Sequence, residues 1–386
     1  MQVLMIGLGL GGTAVADRVL AEMEHFFANV MVYELYRACV EGVEEGARCY
    51  VSIKERKAWY AERIAVEALR PEVIVKKEED KEDIARLPRP YVVETEGKLD
   101  KDYREMKNRI KKEKELDKKE KEELIAFLEI VHERRKRGSP FMKGRKNRFV
   151  EALEEVVKRR KYIDVLLMNT SRQDKATIME NQKTKVRVGT NILGNPVELS
   201  RFDEMRVKDE DYIIFGEQIT HGGGAGWDNV IGMKMAALEE DYFRKIIGDR
   251  LSTKSLEERA ALIVAVVFGS GGGTGSGAAP VVCKAVKDLR REDVRTIAFA
   301  LLPAKEECRM RAYNSVTSLA FTNEMVTGVG LIPLEDYVKP GLPLREAYDI
   351  ADENLARFFV LMAGAEELTD IKNNVKNELI KIFGGG

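Results

Sequence analysis

The segment Phe268 to Val282, F-G-S-G-G-G-T-G-S-G-A-A-P-V-V, constrains this chain more than any other. It directly follows an apolar run of strand length, Ala261 to Phe268 (A-L-I-V-A-V-V-F), and directly precedes the helix-compatible stretch Ala278 to Leu289. Glycines lacking Cβ let consecutive backbone N–H groups approach an anion, and the start of the following helix adds its positive dipole end. Thr274 and Ser276 add hydroxyl donors, so Gly269 to Gly277 is expected to cradle phosphate. No lysine followed by Ser or Thr stands in the run, so it is not a Walker-type loop. A flexible linker would not join a buried strand to an apolar helix.

Other segments repeat the pattern. Val3 to Ile6 stops at Gly7, and Val15, Val19 and Met23 then keep helical spacing. Tyr162 to Met168 and Val294 to Leu302 are continuous apolar runs, as expected of strands in a parallel sheet covered on both faces. Helices are predicted at Ile231 to Ile247, Ala278 to Leu289, Arg309 to Asn323 and Leu344 to Met362. Alternating strand and helix predicts an α/β fold, an open and mostly parallel sheet with helices on both faces and right-handed crossovers.

We expect a discontinuous α/β domain, residues 1–24 and 161–364, interrupted by an inserted segment, 25–160, and followed by a C-terminal helical tail, 365–386. The insertion is charge-dense, yet Leu99, Tyr103, Met106 and Ile110 keep a four-three-four spacing, as do Leu124, Leu128 and Val131. Asp117 and Glu120 form an Asp-x-x-Glu start signal between them. A charged helical hairpin near 98–137 is the reading, ended by Gly138-Ser139-Pro140, with a further helix from Lys146 to Arg160. Arg134, Arg135, Lys136, Arg137, Lys143, Arg145, Lys146 and Arg148 form a basic patch, 134–148, without an acidic residue. It would suit an acidic protein, an anionic membrane surface or nucleic acid; the plainer alternative is a solvated loop with helix ends.

Composition excludes several classes. Lys+Arg number 64 against 65 Asp+Glu, a net charge of -1, so any attraction to polyanions must be local. Cys39, Cys49, Cys283 and Cys308 form no C-x-x-C pair and have no histidine at metal-ligand spacing, which argues against zinc. His25, His132 and His221 are scattered and read as structural or solvent-facing. Met1 to Ala16 lacks the basic leader of a secretion signal, and no stretch approaches the ~20 apolar residues of a membrane span. A cytoplasmic location is expected. Dense Lys and Glu usage with few Gln would suit a heat-loving organism.

Gly271 to Gly277, G-G-G-T-G-S-G, resembles the tubulin/FtsZ signature, and the following A-A-P-V-V resembles its archaeal and bacterial FtsZ side. Further pieces fall in that family's order. Gly7 to Ala14, with Gly7, Gly9, Gly11, Gly12 and Thr13, is similar to its first nucleotide loop, and Asn169-Thr170 to its second. His221 to Asn229, with Gly223, Gly224, Ala225 and Gly226, resembles the loop at the terminal phosphate. Pro303 to Arg311 resembles the ribose loop, which would place Glu307 on ribose hydroxyls and Arg311 near nucleotide. Leu344 to Leu355 looks like the start of the central helix. There Tyr348 and Asp352, four apart, share a face, so a ring can stack on a purine while a carboxylate meets its edge. An ionised carboxylate accepts from the adjacent N1–H and N2–H of guanine and has no such pair in adenine.

The resemblance implies a GTP/GDP-binding, self-associating protein of cytoskeletal or cell-division type, with Mg2+ as a companion of the phosphates. The phosphate-contacting set is Gly271, Gly272, Gly273, Thr274, Gly275, Ser276 and Gly277. Departures are Ser171 where aspartate is usual, Trp227 within the third loop, and Leu334 where an asparagine would meet the base. The chain ends at Gly386, soon after the central helix, so the resemblance covers the sheet domain only. Slow or partner-dependent hydrolysis, or none in an adaptor, is what that implies, and no side chain stands out as water activator. The competing reading is an NAD(P)- or FAD-binding enzyme using Gly7-x-Gly9-x-x-Gly12, with Glu34 after Val30 to Tyr33 as its ribose carboxylate.

Overall fold

Six strands form one all-parallel sheet in the computed structural model, which describes residues 2–23, 55–68, 72–75, 92–136, 142–143, 146–147, 163–182, 185–190, 196–200, 206–252 and 262–364. In chain order its elements are β1 (Gln2–Leu8), α1 (9–23), β2 (Ile163–Asn169), α2 (Arg172–Asn181), β3 (Tyr212–Ile214), α3 (Asn229–Leu238) and α4 (Glu240–Ser252). After them come β4 (Leu262–Gly269), α5 (Thr274–Lys287), β5 (Val294–Leu302), α6 (Arg309–Asn323), β6 (Gly328–Pro333) and α7 (Leu344–Gly364). The spatial order is β6-β5-β4-β1-β2-β3. The strand order therefore reverses between β1 and β4, and in open α/β sheets ligands sit at the carboxyl ends of strands beside such a switch point. Both of these strands end in glycine loops.

Period-two alternation places the core. Leu4, Ile6 and Leu8 join Val264, Val266 and Phe268 in a buried cluster with Met235 of α3 and Phe243 of α4. On the opposite face, Phe299 meets Phe359 of α7 edge to face at 4.9 Å. The helix predicted over Ile231 to Ile247 is two helices, because Glu239 leaves helical geometry and its carboxylate accepts the Gly216 N–H at 2.8 Å. The short strands β3 and β6 were not predicted. Beyond this unit, Met1–Met23 with Lys161–Lys183 and Met205–Glu366, a second unit comprises Glu24–Arg160, Thr184–Glu204 and Glu367–Gly386.

Within the second unit the charged hairpin is present, as helices Glu96–Lys112 and Lys118–Lys136. Its start signal is a reciprocal cap: Asp117 N–H donates to Glu120 at 2.9 Å and Glu120 N–H to Asp117 at 2.9 Å. Leu99, Met106, Ile110, Leu124, Leu128 and Val131 are all buried, as the spacing predicts. A third helix, Glu55–Ala68, is tied in by Glu113, which accepts from Arg56 at 3.0 Å and from Tyr60 at 3.0 Å. His132 is buried, stacks on Tyr103 at 4.2 Å and faces Asp100 at 3.0 Å. Its pKa is lowered by burial, opposed by the Asp100 charge.

The basic patch needs correction at two of its members, and the helix predicted from Lys146 at its start. Arg135 is buried and donates to the Glu67 carbonyl, and Lys136 pairs with Glu96 at 3.2 Å and Asp100 at 3.3 Å. Both serve the hairpin's interior and flank because the helical period turns them toward its neighbours. Lys146 does not open a helix: Lys146–Asn147 pairs antiparallel with Met142–Lys143. Arg134 falls in the helix Lys118–Lys136 and Lys143 in that short strand pair, whereas Arg137, Arg145, Arg148, the remainder of that predicted helix, His25, Cys39, Cys49, Glu34 and the tail beyond Gly364 lie outside the described residues.

Candidate functional site

The glycine loop at the end of β4 is the hub on which separated segments converge. A Cβ on Gly9 would lie 2.8 Å from Gly275 N, so the first loop, with Gly9 at φ +64°, sits backbone to backbone on the start of α5. A Cβ on Gly7 would lie 2.4 Å from Gly12 O, and one on Gly12 would lie 2.1 Å from Val267 O. Close packing of β1, α1 and β4 therefore demands glycine at both. Gly11 lies beside Gly269. The second loop joins through Thr170, whose hydroxyl is 2.6 Å from the Thr274 hydroxyl.

The third loop is threaded by left-handed residues, His221, Gly222, Gly224, Gly226 and Trp227. Gly223 bridges Ser171, and Gly224 N–H donates to the Thr170 carbonyl at 3.2 Å. Ala225 is buried in the core, and a Cβ on Gly273 would lie 2.9 Å from Trp227 C. Asp228 caps α3 by accepting from Val230 N–H at 2.8 Å. The ribose-type loop reaches the hub at Gly271, where an added Cβ would lie 3.0 Å from Arg311 Cβ. Arg311 donates to Glu307, whose other oxygen accepts the Ala304 N–H at 3.0 Å.

α7 closes the arrangement. The Tyr348 hydroxyl is buried beside Glu307 without a hydrogen bond of ordinary geometry; burial, then the Glu307 carboxylate, pushes its pKa up. One turn on, half-buried Asp352 has its pKa raised to about 7, chiefly by burial and secondly by the Asp349 charge, with Arg18 opposing. A carboxylate so desolvated, on one helix face with a tyrosine ring, suits a ligand edge that brings hydrogen-bond donors.

Three predicted residues have other employment. The Ser276 hydroxyl donates to the Gly272 carbonyl, so it firms the first turn of α5 instead of facing outward. The Thr13 hydroxyl donates to Leu10 O at 3.0 Å within α1. Asn169 is buried and spends its amide on Asp174 at 2.9 Å and Tyr212 at 3.3 Å while accepting Thr170 N–H at 2.8 Å, so it shapes the second loop. Ser171, the departure from the family's aspartate, caps α2 by accepting Asp174 N–H at 3.2 Å. Leu334, the departure at the base position, is buried.

Sequence reasoning missed Asn314. It is buried, and its amide donates to Trp227 O at 2.9 Å and Gly271 O at 3.1 Å, pinning the third loop to the hub. Ser315 joins it, 2.8 Å from the Ser270 hydroxyl. α6 is inverted: Asn314, Ser315, Ser318 and Thr322 are buried while Met310, Tyr313, Val316 and Phe321 are exposed. The polar face N-S-x-x-S-x-x-x-T at helical spacing was the available signal, but helices are ordinarily read for apolar faces.

The family model described as Tubulin/FtsZ family, GTPase domain, matches residues 106–336. The cell division protein FtsZ of Methanothermobacter thermautotrophicus is 29% identical over 228 residues, 54% of this chain and 56% of that one. The cell division protein FtsZ 1 of Pyrococcus horikoshii is 33% identical over 157 residues, 40% of this chain and 38% of that one. The tubulin-like protein CetZ2 of Haloferax volcanii is 28% identical over 158 residues, 41% of this chain and 42% of that one. The chain thus spans about half the length, or less, of the curated relatives it matches. A solved GTPγS-bound protofilament of Haloferax volcanii CetZ2 superposes with a TM-score of 0.41 at 23% identity, covering 57% of this chain and 55% of that one.

Proposed function

Because the chain belongs to the tubulin/FtsZ family, we propose that it binds GTP and GDP at the β1/β4 switch point and self-assembles as a cytoplasmic, cytoskeletal or cell-division protein. The observation that carries the reading is the convergence of the glycine loops, the Glu307–Arg311 pair and Tyr348 at one end of the sheet, with Asp352 one turn further along α7 on the Tyr348 face. Backbone of Gly271 to Gly275 and the Thr170 and Thr274 hydroxyls would hold phosphates, Glu307 the ribose, and Asp352 the guanine edge. Among the described residues no three His, Cys, Asp or Glu side chains gather as a metal cluster, so Mg2+ would ride mainly on phosphate oxygens.

In hydrolysis, water would attack the terminal phosphate, with positioning and charge stabilisation supplied by the loops. Among the described residues, the loop carboxylates Asp174, Asp228 and Glu307 each accept hydrogen bonds that shape their own loops, and Asp352 is assigned to the base. Slow or partner-dependent turnover is the corresponding proposal. No described helix is long and apolar enough to cross a membrane.

The strand neighbours of β1 favour the guanine-nucleotide reading over the dinucleotide one. The two described neighbours of β1 are β2 and β4, while Val30 to Tyr33 and Glu34 lie outside the described residues. The strand beside β1 ends in Asn169, which cannot serve as the required carboxylate. The test is calorimetric titration of the full chain with GTP, GDP, ATP and NAD, with mass spectrometry of any co-purified ligand. Guanine nucleotides should bind at least tenfold more tightly than adenine nucleotides. A retained flavin or NAD, or equal binding of ATP, would overturn the proposal.

A further inference from the structure

Trp227 is an uneconomical residue where it stands. Its φ is +66°, a conformation strained for a bulky side chain and natural to glycine, and the indole is 59% exposed. Neither burial nor backbone geometry accounts for it. Its contacts do. The Arg311 guanidinium lies over its ring, 4.9 Å from the centroid, within the range of a cation–π contact. Its carbonyl accepts from buried Asn314 at 2.9 Å, and its backbone abuts Gly273 of the hub. The same Arg311 donates to Glu307 and packs on Gly271.

We infer that Trp227 is a positioning residue for the nucleotide: its indole holds the Arg311 guanidinium between Glu307 and the phosphate cradle and so couples the third loop to the ribose loop. The inference rests on the guanine-nucleotide reading above. A bare arginine side chain carries about 2 kcal/mol of rotamer entropy, and a planar stack selects one orientation before a polyanion arrives. Glutamate on one side fixes the guanidinium's edge while the indole fixes its face. Strain at φ +66° is tolerated because a glycine, though relaxed there, has no ring to offer.

The experiment uses the strain as its discriminator. In the full chain, Trp227→Phe, Trp227→Leu and Trp227→Gly are compared by calorimetry with GDP and GTP and by thermal melting. Trp227→Phe should keep nucleotide affinity within about twofold, whereas Trp227→Leu and Trp227→Gly should lose roughly fivefold, the size of one exposed cation–π contact. Trp227→Gly should nevertheless melt above the wild type, since it relieves the left-handed strain. The chain has two tryptophans, Trp59 and Trp227, so a Trp59→Phe background isolates the second. Its emission should change saturably on adding GDP as Arg311 engages phosphate. Equal affinity of the Phe, Leu and Gly variants, or Trp227 emission unmoved by saturating GDP, overturns the inference and leaves nucleotide binding intact. A wild type that binds neither GTP nor GDP overturns the nucleotide reading itself, and this inference with it.

Discussion

Asp352 should make guanine recognition pH-dependent. In the free protein its pKa is raised to about 7 by burial, so near neutrality roughly half of the molecules carry the protonated acid. Only the ionised form accepts from both N1–H and N2–H of guanine, and binding therefore expels a proton whenever the acid is protonated. Between pH 8, where almost all is ionised, and pH 6, where about one-tenth is, intrinsic affinity should fall roughly tenfold, or about 1.4 kcal/mol. Terminal phosphates also titrate near pH 6, but that effect is common to GDP and ADP. The assay is accordingly the GDP-to-ADP affinity ratio, measured by calorimetry at pH 6, 7 and 8 for wild type and Asp352→Asn. The wild-type ratio should rise about tenfold across the range, and the Asn variant's should stay flat and low. A flat wild-type ratio, or a rising one in the variant, would refute the assignment of Asp352 to the guanine edge. Linkage gives an independent check with a definite sign. The folded pKa lies above the unfolded one, so this group's contribution to stability is greatest below about pH 4 and is lost as pH rises through about 7. Asp352→Asn should then stabilise the free protein at pH 8, by about 1–2 kcal/mol after solvent screening of a half-buried group.

Other expectations follow from close contacts and caps. Gly277→Ala would set a Cβ 2.3 Å from Asn229 O, at the crossing of α5 with α3, and should cost at least about 3 kcal/mol by denaturant titration. Gly97→Ala has nothing within 4 Å and should instead be neutral or stabilise by up to about 1 kcal/mol. Asn314→Leu removes the hydrogen bonds to the buried Gly271 carbonyl and the part-buried Trp227 carbonyl; a loss of about 2–3 kcal/mol is expected in thermal melts, with weakened GDP binding. Asp117→Ala removes one half of the hairpin's reciprocal cap and should cost about 1 kcal/mol, read as lost helicity by circular dichroism.

Local physics made much of this protein readable from its residues alone. The runs at Val3 to Ile6, Tyr162 to Met168, Ala261 to Phe268 and Val294 to Leu302 are largely apolar at consecutive positions, a pattern expected of strands in a covered parallel sheet. The Asp117–Glu120 cap and the hairpin stripe were likewise local, because capping and helical periodicity act over a few residues. What tertiary structure alone decided is whom each polar group serves. Arg135 and Lys136 read as patch cations until the hairpin turned them onto Glu67, Glu96 and Asp100. Asn314 stood on a polar helical face whose partner was unspecified until α6 packed that face inward against the hub. A hydrogen bond between residues dozens of positions apart leaves no periodicity in the chain, so composition and spacing reveal that a polar group exists but not which partner satisfies it. The glycines are the exception, since their lack of a side chain records in the sequence itself that two backbones will meet.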